Sequence, residues 1–440
     1  MRYHFIFRGV LAPVAFMCRR CSVHFPILMT VLLLVLTGCG WFGGNTTHPT
    51  ANKSANLRDL VPAIDVTTKM ALDNMHRNAW NPGALSHGIV TGGLFINWKM
   101  DDPSKTNIQS PGVVKVASGE HDPQVDLLYL TALAEYSQLH PQDRTYDADL
   151  ARMIANVLSD FKNYSMPKGW LYFYLRKDGL LLNNAALVNE ADDLARSFYT
   201  SSYDATLGYV YYRAHKPALY DTFQSLQCGA ALVDAGIRLH QPNWVDAGQK
   251  TLDHIIAVGL NPTYHLFYDR MDVHSEGQDR PETFVTKPST QGQAVEALVM
   301  VYTLTHRQQY LDIATQVLQS LYGSSKLWDQ QRGGFFFSVD MHGGEVNSAY
   351  KETRSQSLVL IALHHYDMVS SLHFTAQEQQ LVYLLTNRFF QGTYHGFFYR
   401  VTSDFQIYVS PPGQGIGRED YFTTEAMGTV LDSLQQFEQG

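Results

Sequence analysis

The side chains with chemistry to offer cluster at five places where an apolar stretch begins. His121, Asp122 and Asp126 open the first, and Gln224 and Gln227 the second. Gln291, Gln293 and Glu296 open the third, Lys351, Glu352, Arg354 and Gln356 the fourth, and Glu419, Asp420 and Glu425 the fifth. Polar groups in the first turns of apolar helices are costly unless something satisfies them. One such residue can cap its helix or favour its N-terminal dipole. Five sets point to a shared polar cleft. Aromatic segments between them supply Trp98, Trp170, Tyr172, Phe335 and Tyr399 as its rim, or as core. Carboxylates, amides and ring faces together suit a sugar, whose hydroxyls take polar partners and whose C–H face stacks on rings. A separate pair, Asp192-Asp193, places two carboxyls next to each other. Neighbouring carboxyls push their pKa values apart, which suits opposite acid and base roles. On a helix, however, adjacent side chains point about 100° apart, and a solvated helix face is the alternative.

Other chemistries lack their motifs. No glycine-rich phosphate loop follows a strand, and no Gly-x-Ser-x-Gly elbow occurs. The body has no His-Glu-x-x-His or paired Cys-x-x-Cys metal motif, so neither a metal nor a cofactor is expected. The Asp340–Gly344 turn reads as a hairpin, with loop-bound calcium as the alternative.

Helical periodicity positions these groups. It predicts helices over 57–78, 122–139, 147–163, 184–200, 220–240, 243–258, 289–306, 308–322, 352–370, 375–390 and 420–438, with a twelfth near 203–213. A more apolar helix is followed by a more amphipathic one. Between pairs recurs an aromatic segment that reads as a β-hairpin: 92–102, 169–179, 264–272, 333–344 and 394–404, with 208–214 as a sixth. A repeated helix–helix–hairpin unit signals a repeat architecture. Six units closing on themselves give an all-α fold, an (α/α)6 toroid with inner and outer helices and short hairpins; an open solenoid is the alternative. The stretch 411–420, rich in Gly and Pro, reads as a loop over the cleft or a plain connector.

Over roughly 58–440 the repeats resemble the six-hairpin glycosidase superfamily. Locally they are most similar to the α-1,6-mannanase type, glycoside hydrolase family 76, which has adjacent aspartates on one helix and later a Thr-x-Asn-Gln-Gly segment opening an inner helix. Glu190-Ala191-Asp192-Asp193-Leu194-Ala195-Arg196 and Ser289-Thr290-Gln291-Gly292 carry the likeness. Two departures stand out: the aromatic residue after the aspartates is missing, and Thr290 replaces the Asn. The resemblance implies glycoside hydrolysis by two carboxyl groups. Asp192 and Asp193 are the first candidates, and Asp122, Glu352, Glu419 or Asp420 alternatives for the second group. Gln291, Gln293, Arg354, Trp98, Trp170 and Tyr172 are expected to bind a poly- or oligosaccharide. Toroids of the N-acylglucosamine 2-epimerase type are the runner-up, with a two-histidine mechanism. Of His121, His254, His265, His342, His364, His365 and His395, only His121 sits at an inner-helix entry. Uronyl hydrolases and lyases share the fold, and a non-catalytic glycan-binding lipoprotein is a further reading.

The N-terminus reads as an address. The apolar run 25–36 is about a dozen residues, short for a bilayer span; basic residues precede it and small ones follow, the layout of a secretory signal. Leu36-Thr37-Gly38-Cys39 resembles a bacterial lipobox, which implies lipidation at Cys39 and a lipid-anchored domain facing outside the cytoplasm. The organisation expected is a signal over 1–38, a Gly/Thr/Asn-rich tether over 39–56 and one toroid domain over 57–440. Met17 is an alternative start. Cys18-x-x-Cys21 falls within the signal, and Cys228 alone remains in the body, so no internal disulfide is available there. Without residues 1–38 the chain has 29 Lys+Arg against 41 Asp+Glu. That acidic balance, without basic clusters, argues against nucleic acid as a partner. At 45% hydrophobic and 17% charged, the composition is that of a globular protein.

Overall fold

The computed structural model describes residues 57–86, 88–108, 119–162, 164, 166–210, 219–272, 279–412, 415 and 417–439. The signal, the tether, Cys39 and part of 411–420 lie outside the described residues. No described helix is long and apolar enough to cross a membrane.

Twelve helices are described: α1 (Leu57–Asn78), α2 (Pro123–Leu139), α3 (Asp147–Phe161), α4 (Gly169–Leu181), α5 (Ala185–Ser197), α6 (Thr222–Arg238), α7 (Pro242–Gly259), α8 (Pro288–Thr305), α9 (Gln308–Tyr322), α10 (Thr353–Asp367), α11 (Thr375–Leu384) and α12 (Thr424–Gln439). The even-numbered helices form a closed inner ring, α2 on α4, α4 on α6, α6 on α8, α8 on α10, α10 on α12 and α12 back on α2. Each also packs against an outer partner, α12 against α1. The inner helices are buried nearly all round, as in α6 from Gln224 to Gly236. The outer ones bury a single stripe, as in α7. This is the (α/α)6 toroid.

Two predicted elements are corrected. Residues 169–179, read as a hairpin, form the inner helix α4. The alternating Leu171, Phe173 and Leu175 imitate a strand, but burial falls on Leu171, Tyr172, Tyr174, Leu175 and Asp178, a helical spacing. Tertiary packing overrides the β-preference of the aromatics. The twelfth helix is therefore α4 and not 203–213, where Tyr203–Asp204 pairs with Tyr209–Val210. The remaining aromatic segments do contain strands, though several pair across units: Asn97–Lys99 joins Tyr421–Thr423 and so links the two ends of the ring.

Packing between inner neighbours is backbone-close. A Cβ on Gly292 of α8 would stand 2.6 Å from the Leu358 carbonyl oxygen of α10. A Cβ on Gly169 of α4 would meet the Gln227–Cys228 backbone of α6 at 2.3 Å.

Side-chain amides fasten the aromatic segments to the helices that follow them. Gln291 accepts from the Phe267 amide and donates to its carbonyl, both at 2.8 Å. Gln356 does the same to Phe335, at 2.7 and 3.0 Å. In α2, Asp126 accepts from the Leu94 amide at 3.0 Å, and in α12 the Met427 thioether receives the Phe397 amide. Each clamp satisfies backbone groups that burial would otherwise strand. Replacing Gln356 by Leu leaves the Phe335 N–H and C=O without a partner, and should lower unfolding free energy by about 2–4 kcal/mol. Urea titration checks this, with exposed Gln319→Leu expected within about 0.5 kcal/mol of the parent.

Candidate active site

The inner helices run parallel, so their N-termini converge on one face. A cleft there is lined by Asp122, Gln124, Val125 and Leu128 of the α2 entry, Trp170 of α4, Tyr399, and Thr423 and Glu425 of the α12 entry. Its inner part adds Tyr174, Gln227, Gln293, Glu296, Arg354, Leu358 and Thr429. All six inner helices contribute a polar or aromatic side chain within their first three turns.

Three carboxyl groups face this space, each held differently. Asp122 is the α2 N-cap, its Oδ1 accepting from the Gln124 amide at 3.0 Å and from the Gln124 side chain at 3.1 Å. Glu425 pairs with Arg354 across the cleft at 3.1 Å. Glu296 lies deepest. Burial, then the nearby Asp432 carboxylate, push its carboxyl up to about 7, while Lys177 opposes them. Lys168 reaches in from the loop before α4 and donates to Gln124 Oε1 at 2.7 Å; burial pulls its ammonium down against the pull of Asp122 and Glu425. The side-chain carbonyl oxygens of Gln227 and Gln293 are buried and have no hydrogen-bond partner among the described residues. Both residues line the cleft, and unpartnered acceptors there suit a hydroxyl-bearing ligand.

Below the cleft, the ring axis is charged. Lys177 donates to Asp432 at 2.5 Å and Glu135 at 3.0 Å, and Tyr174 donates to Asp432 at 2.5 Å. Burial pushes the Asp178 carboxyl up to about 8. The floor of the cleft thus rests on a network spanning α2, α4 and α12, fixing Tyr174 and biasing Glu296.

Of the predicted residues, the structure brings Asp122, Gln227, Gln293, Glu296, Arg354, Glu425, Trp170 and Tyr399 to the cleft, and places the others elsewhere. Asp192 and Asp193 lie on the outer helix α5: Asp192 pairs with Arg238 at the last turn of α6, and Asp193 with Arg196 at the surface. Arg238 is eleven residues beyond Gln227, about 16 Å along the helix, so the aspartate pair sits at the opposite end of the ring from the cleft. The strand-like aromatic spacing of 169–179 masks α4, and α5, which follows that inner helix, is outer. Gln291 is spent on its clamp. Trp98 is wholly buried, donates to Asn74 and packs on Phe422. Tyr172 is core too, donating to Asp234 at 2.5 Å. Glu352 lies behind the lining, bonded to Ser355 and 3.8 Å from Arg400. Asp420 faces Lys99 and Arg418, and Glu419 is buried against Arg400 and Ser410. Of the described histidines, none lines the cleft; His121, next to Asp122 in the chain, is buried. Glu296, Glu425 and Gln227 were marked by their place in inner-helix entries. Tyr174 and Lys168 were missed with α4.

His121 anchors the α2 entry. Its Nδ1 stands 2.9 Å from Asp126 and its Nε2 3.4 Å from Asp160. Burial works against its charge, yet the two aspartates raise it to about 10. The folded value lies above the unfolded one of about 6.5, so its contribution is complete below pH 6.5 and fades as pH rises towards 10. The stability gap between parent and His121→Gln should be widest near pH 6 and narrow steadily towards pH 10, as chemical denaturation across that range would report.

No family model matches the chain, and no curated protein matches it in sequence. Solved structures do match. An unsaturated glucuronyl hydrolase specific for heparin aligns at a TM-score of 0.64 and 12% identity, over 86% of this chain and 97% of the other. An inactive variant of the family 76 α-1,6-mannanase of Salegentibacter sp. HEL1_6, in complex with α-1,6-mannotetrose, aligns at 0.59 and 11%, over 85% and 98%. A D-mannose isomerase aligns at 0.61 and 11%, over 89% and 99%. At these identities the likeness establishes the (α/α)6 fold, shared by glycosidases, a uronyl hydrolase and an isomerase.

Proposed function

We propose that this chain is an exported lipoprotein that hydrolyses glycosidic bonds in the cleft at the N-terminal ends of its inner helices. One observation carries the reading: the unpartnered, buried acceptors of Gln227 and Gln293 share a cleft with the carboxyl groups of Asp122, Glu296 and Glu425. Sugar hydroxyls donate to such acceptors, and Trp170 offers a ring for a sugar face. Hydrolysis needs one protonated carboxyl and one carboxylate. Glu296, raised to about 7, retains a proton in neutral solution and gives it to the departing glycosidic oxygen as the C–O bond breaks. Glu425, oriented by Arg354, serves at the anomeric carbon, directly or by taking a proton from the incoming water; Asp122 stands at the same mouth as the alternative for that role. The enzymes of known structure that share the fold support a carbohydrate substrate by analogy.

The test is a screen of the purified protein against α-mannan, other neutral glycans and unsaturated uronides, reading new reducing ends. Glu296→Gln and Glu425→Gln should lower kcat by about 10²–10⁴. Asp192→Asn and Asp193→Asn should leave it near the parent value. The rate should fall above pH 7 as Glu296 loses its proton. Tight glycan binding without cleavage would overturn hydrolysis in favour of a binding lipoprotein. For the anchor, Cys39→Ser should abolish incorporation of labelled palmitate and release the protein from the membrane fraction; unchanged labelling would remove the lipoprotein assignment.

A further inference from the structure

Three side chains that the cleft does not use meet at the opposite end of the ring. Asp65 comes from the middle of α1, His140 directly follows α2, and Glu438 lies in the last turn of α12. One donor atom from each falls within 4.8 Å of the other two. Asp65 Oδ1 and His140 Nε2 are 3.3 Å apart. His140 Nε2 and Glu438 Oε2 are sealed from solvent, and neither has a hydrogen-bond partner among the described residues. An imidazole nitrogen and two carboxylates converging with no hydrogen bond to the nitrogen is a poor arrangement for an ion pair alone. It suits an ion held among them.

The surroundings agree. Asp65 and His140 line an open groove with Lys69, Tyr136, Pro141 and Asp143, so the cluster lies next to solvent. The nearby cation Lys69 is engaged elsewhere, 2.6 Å from Asp73 and 4.0 Å from Asp143. The His140 ring lies against Tyr136, centroids 4.3 Å apart, which holds its orientation.

We propose that Asp65, His140 and Glu438 form a divalent-cation site of the zinc class that staples α1, α2 and α12 at the seam where the ring closes. Two carboxylates balance a double positive charge. An imidazole ligand favours zinc over calcium or magnesium, which prefer oxygen alone. Three protein ligands leave room for water to complete the shell. Because the ligands come from both ends of the toroid's sequence, binding stabilises the closed ring over any opened form.

The experiment uses untagged full-length protein stripped with a chelator and then dialysed. Zinc is titrated by calorimetry and thermal unfolding; cobalt(II) replaces it for visible absorption. Expected are one zinc per chain and a Tm that rises with zinc but not with calcium. Asp65→Asn, His140→Ala and Glu438→Gln should each weaken zinc binding at least tenfold, with unchanged far-UV circular dichroism showing that the conservative Asn and Gln variants still fold. Cobalt should give a d–d spectrum that His140→Ala alters. Absence of stoichiometric zinc binding would overturn the proposal, as would undiminished affinity in the folded Asp65→Asn and Glu438→Gln variants. Carbohydrate activity is not a readout, so the outcome is independent of the function proposed for the cleft.

Discussion

The structure depends on how a closed ring of six apolar helices satisfies the polar backbone packed against it. The aromatic segments that precede the inner helices are buried, and their amides and carbonyls cannot reach water. A side chain from the first turn of the following helix meets them instead: Gln291 at Phe267, Gln356 at Phe335, Asp126 at Leu94. This fixes the height of each helix against its neighbour, and glycines such as Gly292 let the backbones approach. With helix heights set, Gln293 and Glu296, two and five residues beyond Gln291, line a common space.

That space carries an electrostatic gradient. At the mouth, Asp122 caps α2 and Glu425 holds Arg354, so the carboxylates there are well supplied with partners. At the floor, Glu296 is enclosed and lies near the charged Asp432, and keeps its proton to a higher pH. The two glutamates differ in depth: Glu296 on α8 is enclosed, while Glu425 on α12 is held by Arg354 at the mouth. The Lys177–Asp432–Glu135 network below is the fixed reference for that difference, since it ties three inner helices at one level.

Most of the fold was legible because helices of both classes keep a 3.6 period over ten or more residues, and because apolar and amphipathic helices alternate. The one inner helix that escaped, α4, is rich in aromatic residues whose i, i+2 spacing reads as a strand; only the ring of neighbours around it decides the matter. The site was legible in part for the same reason. Polar residues in apolar first turns marked Asp122, Gln293, Glu296, Arg354 and Glu425. They could not separate amides spent on a clamp, such as Gln291, from amides left free, such as Gln227. The Asp192-Asp193 pair shows the opposite limit: a matching local pattern carries no information about which end of the ring it occupies. Asp65, His140 and Glu438 are spread over almost the whole chain, and no local motif could join them.

The central claim is that the free acceptors of Gln227 and Gln293 exist to receive sugar hydroxyls. A crystal structure of the Glu296→Gln protein with an oligosaccharide from the substrate screen tests this most directly. The account predicts a sugar ring against Trp170, with hydroxyls within hydrogen-bond distance of Gln227 Oε1 and Gln293 Oε1, and the glycosidic oxygen beside residue 296. A saccharide bound outside this cleft, with both amide oxygens still unpartnered, would contradict it.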